Sequence, residues 1–390
     1  MSDQKNVVVV GLSSYGLNVA KELGAKLPSG YRVIGVEKNA FVFNPVPALR
    51  ASTIPGWEDK VLFPLDTLFP ASSKNLAFGG VTVTAITKDS VKLEKSITLD
   101  GVSTDTIPYA YLVIATGSRA AFPIRVPITT DLEEAKDAFR DMQKQIAKAK
   151  KVLIIGGGPV GFEFAGEITE YYNGSNGREK KDVTLVSLVP KLLHPDAKDS
   201  VHQKCLNALK KADVKVILGH GVQDFDINQN GYLGELKKYT LDNGEIVEAD
   251  FVLAGVGPRA NTNLVAEAFG EAALDQPTRQ VRVRQTLQLA EYDNIFAAGD
   301  ITNIKENKMA AWGPKHAAVI AGNINALISN APLKDYSPMG GLVMLASFGT
   351  SQAYGQLPFG FSLPSWLGAR LKSKTLFAQM MPEILNIKSA

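Results

Sequence analysis

The chain has 390 residues, 45% of them hydrophobic and 21% charged, and a formal net charge of +3. That length is more than one hydrophobic core usually serves, which predicts two or three packed domains. The small charge, with no dense run of Lys and Arg among aromatics, argues against nucleic-acid binding, and a single cysteine excludes a disulfide framework, a Cys-x-x-Cys pair and a thiolate metal cluster.

The first element is "NVVVVGLSSYGLNVAKEL". It reads as an apolar strand, a tight turn from Gly11 to Gly16, and a helix with Leu17, Ala20 and Leu23 on one face. Ser13 stands where the middle glycine of a dinucleotide loop belongs. Its Cβ must hold the backbone slightly away from a pyrophosphate, or its hydroxyl must donate to one. The next strand, "YRVIGVEKN", ends in Glu37, at the distance where an acid holds ribose hydroxyls. From this motif alone, a ligand-free strand-helix turn stays open as an alternative.

"TTDLEEAKDAFRDMQKQIAKAK" predicts a helix with Leu132, Ala135, Phe139, Met142 and Ile146 on one face, capped by Thr130 or Asp131. A second and complete glycine fingerprint follows in "KVLIIGGGPVGFEFAGEI": Gly156, Gly158 and Gly161 after an apolar strand. Its helix carries Glu163 and Glu167. The second strand of this unit ends in Ser187 rather than an acid, so a 2′-phosphate would meet no carboxylate there, and Lys191 is a candidate phosphate contact. Cys205, spaced with Leu209 in "VHQKCLNALKKA", predicts a small buried side chain. "YTLDNGEIVEADF" predicts a hairpin about Asn243 and Gly244. His194, His202, His220 and His316 show no metal-ligand spacing, and no metal is assigned.

Residues 336–369 run 34 residues without a charge, interrupted by Gly340, Gly341, Gly349, Pro358 and Pro364. The interruptions exclude a spanning helix and predict buried strands and turns. Beyond them "LPSWLGARLKSKTLF" sets Trp366, Leu371 and Phe377 beside Arg370, Lys372 and Lys374. That is the pattern of a surface helix with snorkelling lysines or of weak attachment to an anionic membrane. The opening "MSDQKN" has neither the apolar core of a secretion signal nor a second-position glycine for myristoylation. With the cysteine count, this sets the expectation of a cytoplasmic protein, with room for peripheral membrane contact.

Two further signatures, "YLVIATGSRAAFP" and "NIFAAGDITN", complete an ordered set of four that resembles the two-dinucleotide flavoproteins. "ALRAS", "NKMAAWGPKHAAVIAGNI" and "LGARLKSKTLF" narrow the resemblance to the apoptosis-inducing-factor-like group, which includes the ferroptosis-suppressor type, across nearly the whole chain. The resemblance implies an α/β fold of two Rossmann-like, three-layer dinucleotide-binding domains and a C-terminal α+β segment. Residues 1–125 and 255–330 would form a discontinuous FAD domain, 126–254 the NAD(P)H domain, and 331–390 the segment closing the flavin and acceptor site. It implies non-covalent FAD held by Gly11, Ser13, Gly16, Glu37, Ala115, Thr116, Gly117, Gly299 and Asp300. Arg50 would either face FAD or bridge two loops. NADH or NADPH would lie on Gly156, Gly158, Gly161 and Ser187. Glu163 and Lys372 would be the catalytic groups, and electrons would pass to a quinone or another small apolar acceptor.

Two dinucleotide units suit hydride transfer, which needs nicotinamide and flavin at near-attack distance, and the flavin supplies the reactivity so that no nucleophile triad is required. Dithiol chemistry beside the flavin is excluded by the cysteine count. Two other classes stay open: a non-catalytic NAD(P)H-sensing or death-signalling flavoprotein, and a flavin monooxygenase acting on an apolar metabolite.

Overall fold

The computed structural model describes residues 4–175, 177–226 and 230–387. Strand β1 (Lys5–Val10) leads into helix α1 (Ser14–Lys26) and strand β2 (Tyr31–Glu37). Strand β3 (Leu76–Gly79) follows, then an antiparallel three-stranded meander between residues 83 and 108, then strand β4 (Tyr111–Ile114). Helix α2 (Leu132–Lys148) is capped by Asp131, whose carboxylate accepts the N–H groups of Glu133 and Glu134. The second unit runs through β5 (Lys151–Ile155), α3 (Pro159–Asn173), β6 (Asp182–Ser187), α4 (Asp199–Lys211), β7 (Lys215–Leu218), β8 (Gly231–Thr240) and β9 (Ile246–Ala254). The chain then supplies β10 (Ile295–Ala297), helix α5 (Gly313–Ile328) and a hairpin of β11 (Met344–Phe348) and β12 (Gln352–Gln356).

The first sheet has the order β10-β4-β1-β2-β3, all parallel, so a strand near residue 296 completes a sheet begun at residue 5. The second has the order β7-β6-β5-β9-β8, parallel except for β8, which pairs antiparallel with β9 across the Asn243–Gly244 turn. Gly244 takes a φ of +83°, the left-handed region that turn requires. In each sheet the glycine loop follows the central strand, at the carboxyl edge where neighbouring strands diverge in order and ligands bind in such folds. The architecture is the expected α/β fold of two Rossmann-like units, one of them discontinuous, with a C-terminal α+β segment.

Continuous valine in β1 follows from burial on both faces. Val7 and Val9 join Leu17, Ala20 and Leu23 of α1 and Ile320 and Ile324 of α5 in one core. In the second unit Val152, Ile154, Phe162, Phe164, Cys205 and Leu209 cluster with Met344, Ala346 and Phe348 of the hairpin, so the hairpin packs on the second unit, while Tyr336, Met381 and Leu385 of the same segment join the core of the first. Burial pushes the Cys205 thiol up to about 12, which makes it a small core side chain.

The C-terminal segment departs from expectation in two ways. Of the charge-free stretch only the hairpin is regular strand, and beyond it Phe361 and Trp366 are 70% and 65% exposed. The 366–377 stretch is no continuous surface helix: one α-turn (Ser365–Gly368) runs into a π-helical turn (Ala369–Ser373). There Lys372 is drawn inward by a carboxylate of α3 while Arg370 and Lys374 stay outside.

Candidate active site

The first glycine loop is built by close backbone approach. Gly11 has φ +90°, and a Cβ there would lie 2.5 Å from the Ala115 carbonyl oxygen; one on Gly16 would lie 1.8 Å from the Gly11 carbonyl oxygen. Only glycine permits this junction of β1, α1 and the 115–117 turn. Ser13 is extended and its hydroxyl donates to the Phe43 carbonyl at 3.1 Å, so the expected donation to a pyrophosphate is taken over by the protein. Helix α1 has neither a capping side chain nor an acid in its first turn, which leaves its N-terminal N–H groups and dipole for an anion. Glu37, at the end of β2, accepts the Leu12 N–H at 2.6 Å and the Asn39 N–H at 3.2 Å. Burial pushes its carboxyl up, against these two backbone donors.

The second signature of this unit, Ala115 to Gly117, is locked to the stretch leaving β9. Thr116 donates to the Asn261 carbonyl at 2.8 Å, and the Asn261 amide returns a bond to the Thr116 carbonyl at 3.0 Å. Gly299 has φ +78° and lies against the Tyr15 ring, 2.7 Å from where a Cβ would be. Asp300 accepts the Ser118 hydroxyl at 2.6 Å and Arg125 Nη2 at 3.0 Å through one oxygen. Sequence reasoning missed Ser118, which lies in the same quoted signature as Ala115 to Gly117, and Arg125, which stands two residues beyond its end. It also missed the buried set beside them. Glu306 accepts His316 Nε2 at 2.9 Å and the Tyr336 hydroxyl at 2.6 Å, and Tyr15 packs edge-on against the His316 ring at 5.0 Å. Burial pushes Lys308, 3.9 Å from Glu306, down to about 8. Tyr15, Lys308 and His316 fall inside stretches quoted above, but no spacing in the sequence joins them to Glu306 and Tyr336 as one cluster.

The second loop repeats the geometry. Gly156 has φ +114°, with the Gly255 carbonyl oxygen 2.8 Å from a Cβ; a Cβ on Gly161 would lie 1.9 Å from the Gly156 carbonyl oxygen. At Gly158 a Cβ would meet only the Leu193 oxygen, at 4.0 Å. Pro159 opens α3, again without a capping side chain or an early acid. Ser187 is buried beside this loop, 2.9 Å from a Gly157 Cβ, and donates to the Val189 carbonyl at 2.9 Å. Lys191 is turned away from the loop in this structure: its ammonium holds the Asp199 carboxylate at 2.8 Å, an exposed pair, and the Ala197 carbonyl at 3.1 Å.

The two expected catalytic groups are brought together. Lys372 Nζ lies 2.6 Å from Glu163 Oε1 and 2.7 Å from the Leu345 carbonyl, and the same Glu163 oxygen accepts the Ser347 N–H at 2.9 Å. Both side chains are mostly buried, 15% and 12% exposed. Arg50, by contrast, is fully buried and bridges loops: all its donors are committed to Glu167 and to the carbonyls of Ser373, Lys374 and Gly349. No donor remains for a flavin, which corrects its assignment as a cofactor contact. Among the described residues no three His, Cys, Asp or Glu side chains are grouped to hold a metal ion.

Two uncapped helix N-termini behind loops that only glycine can form, each in a parallel sheet's central crossing, fit the pyrophosphates of two dinucleotides. The comparisons with known proteins decide the family. Residues 5–320 match the model of the pyridine nucleotide-disulphide oxidoreductases. The chain belongs to that family. It is 31% identical to apoptosis-inducing factor homolog B of Dictyostelium discoideum, over 99% of this chain and 98% of that one. It is equally identical to ferroptosis suppressor protein 1 of Taeniopygia guttata, over 95% and 93%. Among solved structures, sulfide:quinone oxidoreductase of Aquifex aeolicus superposes with a TM-score of 0.75 at 20% identity, covering 98% of this chain and 92% of that chain, a likeness of fold. This pyridine nucleotide-disulphide oxidoreductase is thus a flavoprotein oxidoreductase of FAD and NAD(P)H. Despite the family name it has no second cysteine for dithiol chemistry.

Proposed function

We propose that the chain is an NAD(P)H:quinone-type oxidoreductase, taking a hydride from NAD(P)H onto FAD and passing electrons to a quinone or similar small apolar acceptor. The observation that carries this reading is the Lys372–Glu163 contact, where the C-terminal segment delivers an ammonium to the N-terminal part of the second dinucleotide helix. FAD, when bound, supplies the redox reactivity. The chain's own residues do the rest. The Gly11–Gly16 loop with Glu37 and Asp300 would hold FAD, and the Gly156–Gly161 loop with Ser187 would hold NAD(P)H. Lys372, mostly out of water, would stabilise negative charge developing on an acceptor oxygen, and Glu163 and the Leu345 carbonyl keep the ammonium aimed. The name of one fold neighbour, a sulfide:quinone oxidoreductase, points to the same acceptor class.

Ser187 sets no carboxylate against a 2′-phosphate, so both nucleotides should serve. Phe361, Trp366, Leu371 and Phe377 are exposed near Arg370 and Lys374, a surface suited to weak contact with an anionic bilayer where lipid quinones dissolve. Among the described residues no helix is long and apolar enough to cross a membrane.

Stopped-flow reduction of the yellow protein by NADH and NADPH, followed by a panel of acceptors, tests the reading. Fast reduction and fast reoxidation by quinones are expected. Fast reduction with no turnover on any acceptor would replace it with a sensing role, and substrate-dependent oxygen insertion with a monooxygenase.

A further inference from the structure

Helix α3 carries three carboxylates at i, i+4 and i+7, the spacing that puts them on one face, and all three are used to hold the C-terminal segment or the residue that clamps it. Glu163 takes Lys372 and the Ser347 N–H. Glu170 takes the N–H and hydroxyl of Thr350 and the Ser351 hydroxyl. Glu167 sits between them and reaches the segment only through Arg50, which comes from a short helix (Ala48–Ala51) in the first unit. The Arg50 fork clasps Glu167 at 2.7 and 2.8 Å on one side. On the other it donates to the Ser373 carbonyl at 2.6 Å and the Gly349 carbonyl at 2.9 Å. The guanidinium is closed over by the Trp57 ring at 4.8 Å, and its side chain has no solvent exposure. Burial pushes the Glu167 carboxyl up while Arg50 opposes it, so the carboxylate depends on this one partner.

Residue 373, whose carbonyl Arg50 holds, is the immediate neighbour of Lys372 and closes a π-helical turn in which the Lys374 N–H bonds the Ala369 carbonyl at 3.1 Å. A single π-turn is rare in proteins and is found frequently at functional sites. We propose that Arg50 is the positioning residue for Lys372: by fixing the Ser373 carbonyl and Glu167 together, it sets the register in which the lysine meets Glu163. It thereby ties residues of the first unit, the second unit and the C-terminal segment at one point. The inference rests on the reading of Lys372 given above for its consequence in catalysis, but the positioning itself is testable without any acceptor. Lysine could neutralise Glu167, but a single ammonium lacks the planar fork that spans a carboxylate and two carbonyls in different directions.

The test is covalent labelling of lysine amines by a small acylating reagent on FAD-loaded protein, read residue by residue by mass spectrometry, with amide hydrogen exchange over 369–377. Two variants are compared with wild type. Arg50→Lys keeps a partner for Glu167. The double variant Arg50→Met/Glu167→Met removes the buried charges together and replaces them with apolar groups of similar length, which folded proteins tolerate far better than a lone buried charge. In both, labelling of Lys372 should rise about tenfold, the scale of losing one charge-assisted hydrogen bond, while exposed Lys374 labels as before. Exchange over 369–377 should rise with it. If Lys372 labelling and exchange are unchanged in either folded variant, Arg50 is only a core ion pair and the proposal is wrong. Raised labelling supports it even where Lys372→Ala leaves quinone turnover untouched; that second result would fell the catalytic reading of Lys372 alone.

Discussion

Two glycines of one loop should respond to the same substitution in opposite ways. At Gly161 an alanine methyl would lie 1.9 Å from the Gly156 carbonyl oxygen, a backbone atom fixed by its own left-handed turn. Relief needs a retreat of roughly 1 Å by the start of α3, and overpacking of that kind costs about 1–3 kcal/mol or more, only partly offset by the ~1 kcal/mol alanine gains in a helix. Gly161→Ala should therefore lose about 2 kcal/mol and roughly 5 °C in Tm. Gly158 has φ −70° and ψ −175°, which alanine adopts freely, and its methyl meets nothing closer than the Leu193 oxygen at 4.0 Å. Gly158→Ala should cost under about 1 kcal/mol as a cap and hold its Tm within roughly 2 °C. Its methyl stands, however, at the mouth of the loop, where the backbone must approach a pyrophosphate, so KM for NADH or NADPH should rise at least about tenfold. Differential scanning calorimetry and initial-rate kinetics decide both. Equal Tm losses, or a Gly158→Ala enzyme with wild-type KM, would refute the assignment of this loop as the nicotinamide dinucleotide site.

Lys372→Ala should slow reoxidation by quinones about tenfold to a hundredfold, with FAD content and the rate of reduction by NAD(P)H unchanged; wild-type reoxidation with every quinone tested would reduce the segment to a structural cover. Ser187→Glu should raise KM for NADPH far more than for NADH, since a carboxylate there would face a 2′-phosphate; a parallel change in both would remove Ser187 from the ribose site. Acid should destabilise the protein through the Glu306–His316 pair. Burial holds His316 below its ordinary 6.5, so below that pH the unfolded chain takes up a proton that the folded one does not. The His316 and Tyr336 donors hold Glu306 below its ordinary 4.5, so its contribution is also lost as pH falls past that value. Tm should drop from pH 7 to 5, and His316→Gln should flatten the part of the loss that begins near 6.5; an unchanged slope would place the acid sensitivity elsewhere.

Backbone demands were legible in the sequence because glycine is a direct record of them. Gly11, Gly16, Gly156 and Gly161 each stand where a Cβ would strike a carbonyl, and their spacing after valine- and isoleucine-rich strands told where the loops fall. The helix faces were legible for the same kind of reason, since Ala135, Phe139, Met142 and Ile146 are all buried. What spacing could not carry is the destination of long polar side chains. Lys191 and Lys372 are both lysines in loosely patterned stretches; one turns to Asp199 at the start of α4 and the other to Glu163, more than two hundred residues away. Arg50 is the sharpest case, because the sequence left it either to face FAD or to bridge two loops, and only the fold decides for the bridge. Its complete burial depends on an acid of α3 and on carbonyls of two later turns, and no local pattern encodes any of them. Ser13 shows the reverse. The sequence marked it as a defect in a phosphate loop, whereas the fold gives its hydroxyl the Phe43 carbonyl and keeps the loop's glycine contacts intact. The middle position can therefore carry a side chain here because that side chain points back into the protein, and Ser13→Gly should leave FAD occupancy unchanged or raise it, as absorbance ratios of the purified proteins would show. A lower occupancy in the glycine variant would mean that the Ser13–Phe43 bond itself shapes the loop.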